Sequence, residues 1–366
     1  MKKTKRLILF SMLTLAIGGC SKDNDNNPDS PKDPVSYGIF IVNSGNLYSN
    51  IDGSLGYYEY GSGNYFEDIF KSSNDGQSIG DIFNDGCMAG DYIYLAVTNS
   101  AVLHVLDRED FKIVKTIRTR SEAGPRHVTS YKGKIYMTLF GQPGYVAEVD
   151  PTTLEITREV EVGPLPEGIV GFNDKLYVAV SDGYNAGANA SITVIDPVTF
   201  KVTDEIKGLV NPVNMLTDGN NVYSCAWGQY QNEYPYSQYN YGVYRVDGNK
   251  LSDKLFDATY ISNDGNLIYY INAPYGIDSI NYGVYDTKTG KTSSWISEEN
   301  GVDSPIALAA DEVSGQVLIL SYKMGDYGYP AYNDKGYAKL YKPDGSVVAT
   351  FDTGISPTNA FFNDRY

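Results

Sequence analysis

The sequence predicts an all-β protein, a seven-bladed β-propeller of four-stranded antiparallel blades whose ring is closed by N- and C-terminal strands in one blade. Three features predict it: a recurring strand that ends in an acidic residue, an apolar strand type that precedes it in constant order, and partnerless strands at the two ends of the chain.

The N-terminus comes first. Lys2, Lys3, Lys5 and Arg6 precede an apolar run from Leu7 to Ile17, followed by Gly18, Gly19 and Cys20. That run is well short of the roughly 20 residues that span a bilayer, and its basic flank and small residues are those of a cleaved signal peptide. Residues 1–19 are therefore expected to be removed. Glycines directly before a cysteine resemble a bacterial lipobox, which makes Cys20 the expected site of lipid attachment. Residues 20–36 form the tether: from Ser21 to Pro34 there is no large apolar residue, so the segment cannot bury a core. Asp23 and Asp25 do not make a calcium loop, because the glycine and terminal glutamate of an EF-hand are absent.

The propeller occupies 37–366. The acid-terminated strand recurs at Leu103 to Asp107, Val146 to Asp150, Ile192 to Asp196, Tyr241 to Asp247 and Tyr282 to Asp286, with ends stepping by 43, 46, 51 and 39 residues. Further copies at Gly56 to Tyr60 and before Asp344 bring the number to seven. The preceding strand opens on Ile93 and Tyr94, Ile135 and Tyr136, Leu176 and Tyr177, and Val222 and Tyr223. About 47 residues per repeat is close to the length of a four-stranded blade. One repeat reads fully as Glu167 to Phe172, Lys175 to Ser181, Ser191 to Asp196 and Lys201 to Lys207, by alternation and by turns such as Asn173 with Asp174. Pro357 to Phe362 matches an innermost strand with nothing to follow it. Tyr37 to Asn43, Gly56 to Tyr60 and Tyr65 to Lys71 supply its missing partners, which closes the ring and removes the open edge.

Up-and-down strands put the loops between second and third strands on the same face as the loops between blades. Prolines at 125, 166, 212, 305 and 357 mark the turns into the inner strands. Five of the second-to-third loops are long: Ser44 to Leu55, Asp182 to Ala190, Gly228 to Asn240, Ala273 to Asn281 and Lys323 to Lys335. Long insertions on one face of a repeat protein form its binding surface. The candidate ligand-binding residues there are Asn43, Asn46, Tyr48, Arg126, Tyr184, Trp227, Tyr230, Tyr234, Tyr236, Tyr275, Tyr327 and Tyr329. Tyrosine joins a flat apolar ring to a polar tip at low entropic cost, and Asn185, Gln229, Gln231 and Asn232 add neutral hydrogen-bonding groups. The mix suits a large, neutral, polar-edged ligand. Tyrosine is also abundant in the whole chain, 33 against 13 phenylalanines, so Tyr94 and Tyr177 belong to the blade cores.

Composition narrows the function classes. Loss of the four basic signal residues takes the formal charge from −16 to −20, which disfavours nucleic acid and anionic headgroups as partners. With Cys20 lipidated, Cys87 and Cys225 are expected as buried thiols, and two histidines cannot build a metal centre. Enzyme signals are weak, and no catalytic activity or cofactor is expected. Gly76 to Gly80 fits G-x-S-x-G around Ser78 but lies outside any strand-to-helix elbow, and the dinucleotide-like string from Gly61 and Gly63 has phenylalanine at 66.

The run Val194, Ile195, Asp196, Pro197, then Lys201 and Val202 and on to Pro212, resembles the YncE-like family of seven-bladed propellers over most of 37–366. With the lipobox, the acidic tether and the tyrosine-rich loops, the chain more narrowly resembles the BtuG-type cell-surface cobalamin-binding lipoproteins of gut bacteria. That resemblance implies capture of cobalamin or a related corrinoid as cargo. It also implies handover to a TonB-dependent outer-membrane transporter, from an outer-membrane lipid anchor facing the cell exterior. A surface glycan binder and a scaffold that docks an envelope partner are the alternatives.

Overall fold

The computed structural model describes residues 33–365, apart from 186, 234–236 and 278. The signal peptide, Cys20 and most of the tether lie outside the described residues, as do Tyr234 and Tyr236.

The described residues form seven four-stranded antiparallel sheets. In chain order of their inner strands, the second to seventh blades begin at Phe83–Ala89, Gly124–Tyr131, Pro166–Phe172, Pro212–Thr217, Tyr260–Asp264 and Ser304–Ala310. The first blade is built from both ends of the chain. Pro357–Arg365 is its inner strand, followed outward by Val35–Asn43, Ser54–Glu59 and Tyr65–Phe66. Val35–Asn43 pairs along Pro357–Arg365, and at Phe40 opposite Phe361 the rings stack at 4.9 Å. Each inner strand touches the next, and Pro357–Arg365 touches both Ser304–Ala310 and Phe83–Ala89, so the ring closes.

Burial explains the pattern. Seven apolar clusters lie one between each pair of successive blades, so each sheet is covered on both faces. Strands such as Tyr92–Val97 are accordingly apolar almost throughout rather than alternating. The tyrosines of the second strands, Tyr94, Tyr136 and Tyr223, are buried in these layers. The recurring acid ends its strand for a local reason: Asp150 Oδ1 accepts from the backbone N–H of Thr152 and Thr153, and Asp196 does the same for Val198 and Thr199.

Two expectations need correction. Tyr65 to Lys71 is not one strand: pairing stops at Phe66, and Ile69–Ser73 is a short helix. Asp68 caps it by accepting from the Lys71 N–H at 3.0 Å, while Ile69 and Phe70 enter the core. The stretch Gly228 to Asn240 is not a plain loop, since Gln229–Tyr230 pairs with Gln238–Tyr239.

The inner strands share one irregularity that builds the hub. Their pairing with the second strand slips just after the start of the strand in every blade but the sixth. Such bulges free residues from the ladder and re-aim their side chains. The freed residues include Asn84, Arg126, His127, Glu167, Val213, Ile306 and Thr358. The turn before the strand is held in left-handed backbone at Ile82, Leu165, Asn211 and Ser356, with φ between 54° and 56°.

Candidate ligand-binding face

The re-aimed residues surround a cavity of about 330 Å³ on the propeller axis, lined also by Asn214, Trp227, Tyr260, Leu308 and Asn359. Its wall divides into two arcs. From the first to the fourth blade it carries Thr358, Asn359, Asn84, Arg126, His127 and Glu167; from the fifth to the seventh it is largely apolar, with Val213, Trp227, Tyr260, Ile261, Ile306, Ala307 and Leu308 beside the polar Asn214 and Thr259.

The polar arc is a connected network. Arg126 donates to both Glu167 oxygens, through Nε at 2.7 Å and Nη2 at 3.3 Å, and through Nη1 to Asn84 Oδ1 at 3.0 Å. Its guanidinium also sits 4.9 Å from the Phe140 ring centroid. Asp85 accepts from the backbone N–H groups of Gly86 and Val128 and from Asn359 Nδ2 at 2.8 Å. His127 bridges the two acids, with Nδ1 3.2 Å from Asp85 and Nε2 3.6 Å from Glu167. Burial alone would lower the imidazole pKa, but the hydrogen bonds and charges of Asp85 and Glu167 outweigh it and push it up to about 9. Glu167 is likewise pulled two ways: burial raises its pKa, and Arg126 and His127 bring it below the usual value.

On the apolar arc the Trp227 indole N–H donates to the Thr259 carbonyl at 2.8 Å, and its ring meets Tyr260 edge-on at 6.1 Å. Burial raises the Tyr260 phenol, which therefore stays neutral and able to donate.

Around this hub stand the long loops. Tyr48 is 96% exposed, Tyr184 79%, Tyr329 70% and Tyr275 61%, which places four candidate rings in solvent on one face. Two of the rim rings are braced without being buried: Tyr184 lies edge-on to Phe140, and Tyr230 edge-on to Tyr275 at 5.8 Å. Gln238, itself buried, ties two loops together by accepting from the Tyr275 N–H and donating to the Trp227 carbonyl. Asn46 caps the turn at Tyr48 and donates to Asn333 Oδ1 at 2.8 Å, joining the loops of the first and seventh blades.

Not every candidate residue faces outward. Asn43 is 1% exposed and structural: its amide accepts from Gly354 N–H and donates to Ser54. Arg126 lies in the hub rather than on the rim, with its charge matched by Glu167. Tyr234, Tyr236 and the Tyr327 side chain lie outside the described residues. Sequence reasoning missed Asn84, Asp85, Glu167, Asn214, Tyr260 and Asn359. The recurring prolines were the available signal, because the residue after each one turns toward the axis.

Ser78 donates to Asp52 at 2.5 Å and sits in the connection between the helix and Phe83–Ala89. His104, the one histidine outside the hub, is held by Thr116 and the Ile79 carbonyl. Cys87 and Cys225 are free thiols in different blades; Cys225 is buried as expected, whereas Cys87 is only half-buried, and desolvation raises both, Cys225 to about 12.

Fold and site together define a seven-bladed β-propeller with a divided axial cavity under a tyrosine-rich rim. Residues 37–293 match the profile of the domain of unknown function DUF5074, and the chain belongs to that family. Among curated protein sequences none matches. Of solved structures, a chain of Kuenenia stuttgartiensis hydrazine synthase aligns with a TM-score of 0.53 at 17% identity, covering 75% of this chain and 87% of that one. The computationally designed Ika8 protein aligns with a TM-score of 0.50 at 11% identity, over 75% of this chain and 88% of its own. At these identities the likeness concerns the fold alone.

Proposed function

We propose that the protein is a non-catalytic binder that captures a corrinoid of the cobalamin type on its loop face. In this reading lipidated Cys20 holds it on the outer membrane, facing outward, and a TonB-dependent transporter receives the cargo. The observation that carries the reading is the ring of exposed tyrosines, Tyr48, Tyr184, Tyr230, Tyr275 and Tyr329, around one end of the axis. Exposed aromatic groups gathered on one face mark binding surfaces. A corrin is broader than the axial cavity, so it would lie across the rim, its flat ring over tyrosines and its amide edge toward Asn and Gln. The resemblance to cobalamin-binding lipoproteins supports that choice of ligand. Two observations support the non-catalytic part of the reading: Arg126 and His127 are matched by carboxylates, and Ser78 has no imidazole partner among the described residues.

Calorimetric titration of the protein from Ser21 onward with cyanocobalamin tests the proposal. Tight one-to-one binding, weakened at least about tenfold by Tyr275→Ala, is expected. No heat at micromolar protein, together with no thermal stabilisation, overturns it.

One observation favours glycan recognition as the second reading. Beside the hub, Gly183, Tyr184, Asn211, Asn232 and Tyr239 line an uncharged cleft of about 300 Å³. Tyrosine faces with amide groups suit a sugar ring. Retention on polysaccharide beads, lost in Tyr239→Ala and unaffected by excess cobalamin, would move this reading to first place.

A further inference from the structure

The charged arc of the hub is balanced within itself, and this limits what the cavity beside it admits. Asp85 and Glu167 bring two negative charges; Arg126 and protonated His127 bring two positive ones. In the cavity a cationic ligand group would meet Arg126 and His127, and an anionic one would meet Glu167 and find both cations already paired, His127 with Asp85 behind it; either would lose hydration without a free counter-charge. Across the cavity Val213, Ile306 and Leu308 offer only hydrocarbon.

Hydrogen-bonding capacity nevertheless remains between the arcs. Arg126 commits three of its five N–H groups to Glu167 and Asn84. Neither the Asn214 amide nor the Tyr260 hydroxyl, both lining the cavity, has a hydrogen-bond partner among the described residues. The open groups are thus several donors and an amide or phenol oxygen that accepts. A carboxamide, with one carbonyl acceptor and two N–H donors, complements that set.

We infer that the axial cavity is a subsite for an uncharged amphiphilic arm, a carboxamide on a short branched aliphatic chain. Its amide meets Asn214, Tyr260 and the open N–H groups of Arg126, and its hydrocarbon packs on Val213, Ile306 and Leu308. A volume of about 330 Å³ admits one such arm and no macrocycle. The inference rests on the reading of this face as the binding face, and it holds for any amide-bearing ligand, corrinoid or not.

The test uses three probes on one five-carbon skeleton and of different charge: isovaleramide, isovalerate and isoamylamine. They are titrated into the protein from Ser21 onward, which keeps every strand described above, with carbon-13 labels on the isoleucine δ1 methyls. Isovaleramide is expected to shift the Ile306 and Ile261 signals with millimolar affinity, and the two charged probes to bind at least about tenfold more weakly. Val213→Phe fills the cavity and is expected to remove the shifts; Ile306→Phe, read at Ile261, is the second filler if the first does not fold. Equal binding of all three probes, no shift with the amide, or shifts that survive filling overturns the inference. Cyanocobalamin calorimetry on the same samples keeps the two proposals apart. Amide shifts without corrinoid heat remove the corrinoid and keep the subsite. Corrinoid binding untouched by filling, with no amide shift, does the reverse.

Discussion

In the second to fourth blades, the residue that turns toward the axis at the head of the inner strand is Asn84, Arg126 or Glu167; in the fifth to seventh it is Val213, Tyr260 or Ile306. The backbone is nearly the same in both halves, with the same register slip after the strand begins in all of these blades but the sixth. The polar half is cross-linked from blade to blade, Asn84 to Arg126 to Glu167 and Asp85 to His127, whereas Val213, Ile306 and Leu308 make no polar link. The repeat therefore fixes where a hub side chain points and leaves its chemistry free. A propeller can acquire a binding site by substitution at single positions without any change in its strands.

The largest expected effect comes from cutting the polar half. Glu167→Leu leaves Arg126 without its bidentate acceptor and His127 with one carboxylate, in a setting where the Glu167 side chain is only 10% exposed. Removing one partner of a buried ion pair costs about 4 kcal/mol. Urea unfolding should show a loss of that order, and Arg126→Met in the same chain should restore more than half of it. A double variant no more stable than the single one would mean that the two arcs do not differ in this way.

Next in size is a pH effect confined to the polar half. The His127 imidazole is raised from its ordinary 6.5 to about 9 in the folded protein. Its contribution is fully present below pH 6.5 and is lost as pH climbs through 9, because only the folded state holds the proton over that interval. A difference of this size corresponds to about 3 kcal/mol. Asp364, raised by burial to about 6, acts in a lower window: the folded state disfavours its charge, so it subtracts stability between pH 4 and 6. Unfolding free energies should therefore fall between pH 6.5 and 8 in the wild type and stay nearly level in His127→Gln, an interval that stops short of the range in which the raised thiols of Cys87 and Cys225 also cost stability. Equal slopes in the two proteins would place the proton elsewhere.

What the sequence made legible divides along the same line. Blade number, strand order and ring closure were readable because their causes are local. An Asp that accepts the next backbone N–H groups must end its strand, as Asp150 and Asp196 do, and an inner strand without followers must find partners at the other terminus. The helix at Ile69–Ser73 was misread as strand because Ile69 and Phe70 fit either period; the capping Asp68 was the overlooked cue. The hub was not readable. Asn84, Arg126, Glu167, Val213, Tyr260 and Ile306 meet only because the ring closes; the prolines before four of them mark where a strand turns in, but not which distant side chains it meets there. Arg126 was placed on the right face for a ligand contact, yet its partner, Glu167, lies 41 residues away in the next blade. The rim tyrosines were legible as a class, since loop length and composition are local, while the burial of Asn43 was not.

The smallest expected effect on stability is the most informative about the rim. Tyr184 is 79% exposed and rests edge-on against Phe140, which also neighbours the Arg126 guanidinium. Truncation to alanine should change unfolding free energy by less than about 0.5 kcal/mol, as for other surface sites. Removing Glu167 should cost several times more. If the rim is a binding surface, the same Tyr184→Ala change should weaken the ligand at least about tenfold, since a pre-positioned aromatic ring adds contact area without ordering cost. The hub and the rim then separate cleanly: substitutions in the polar arc are read in stability, and substitutions at the tyrosines are read in binding. A Tyr184→Ala protein that melts several degrees lower would instead make the Phe140 contact structural, and would transfer the binding role to Tyr275 and Tyr329, which stand free of the charged arc.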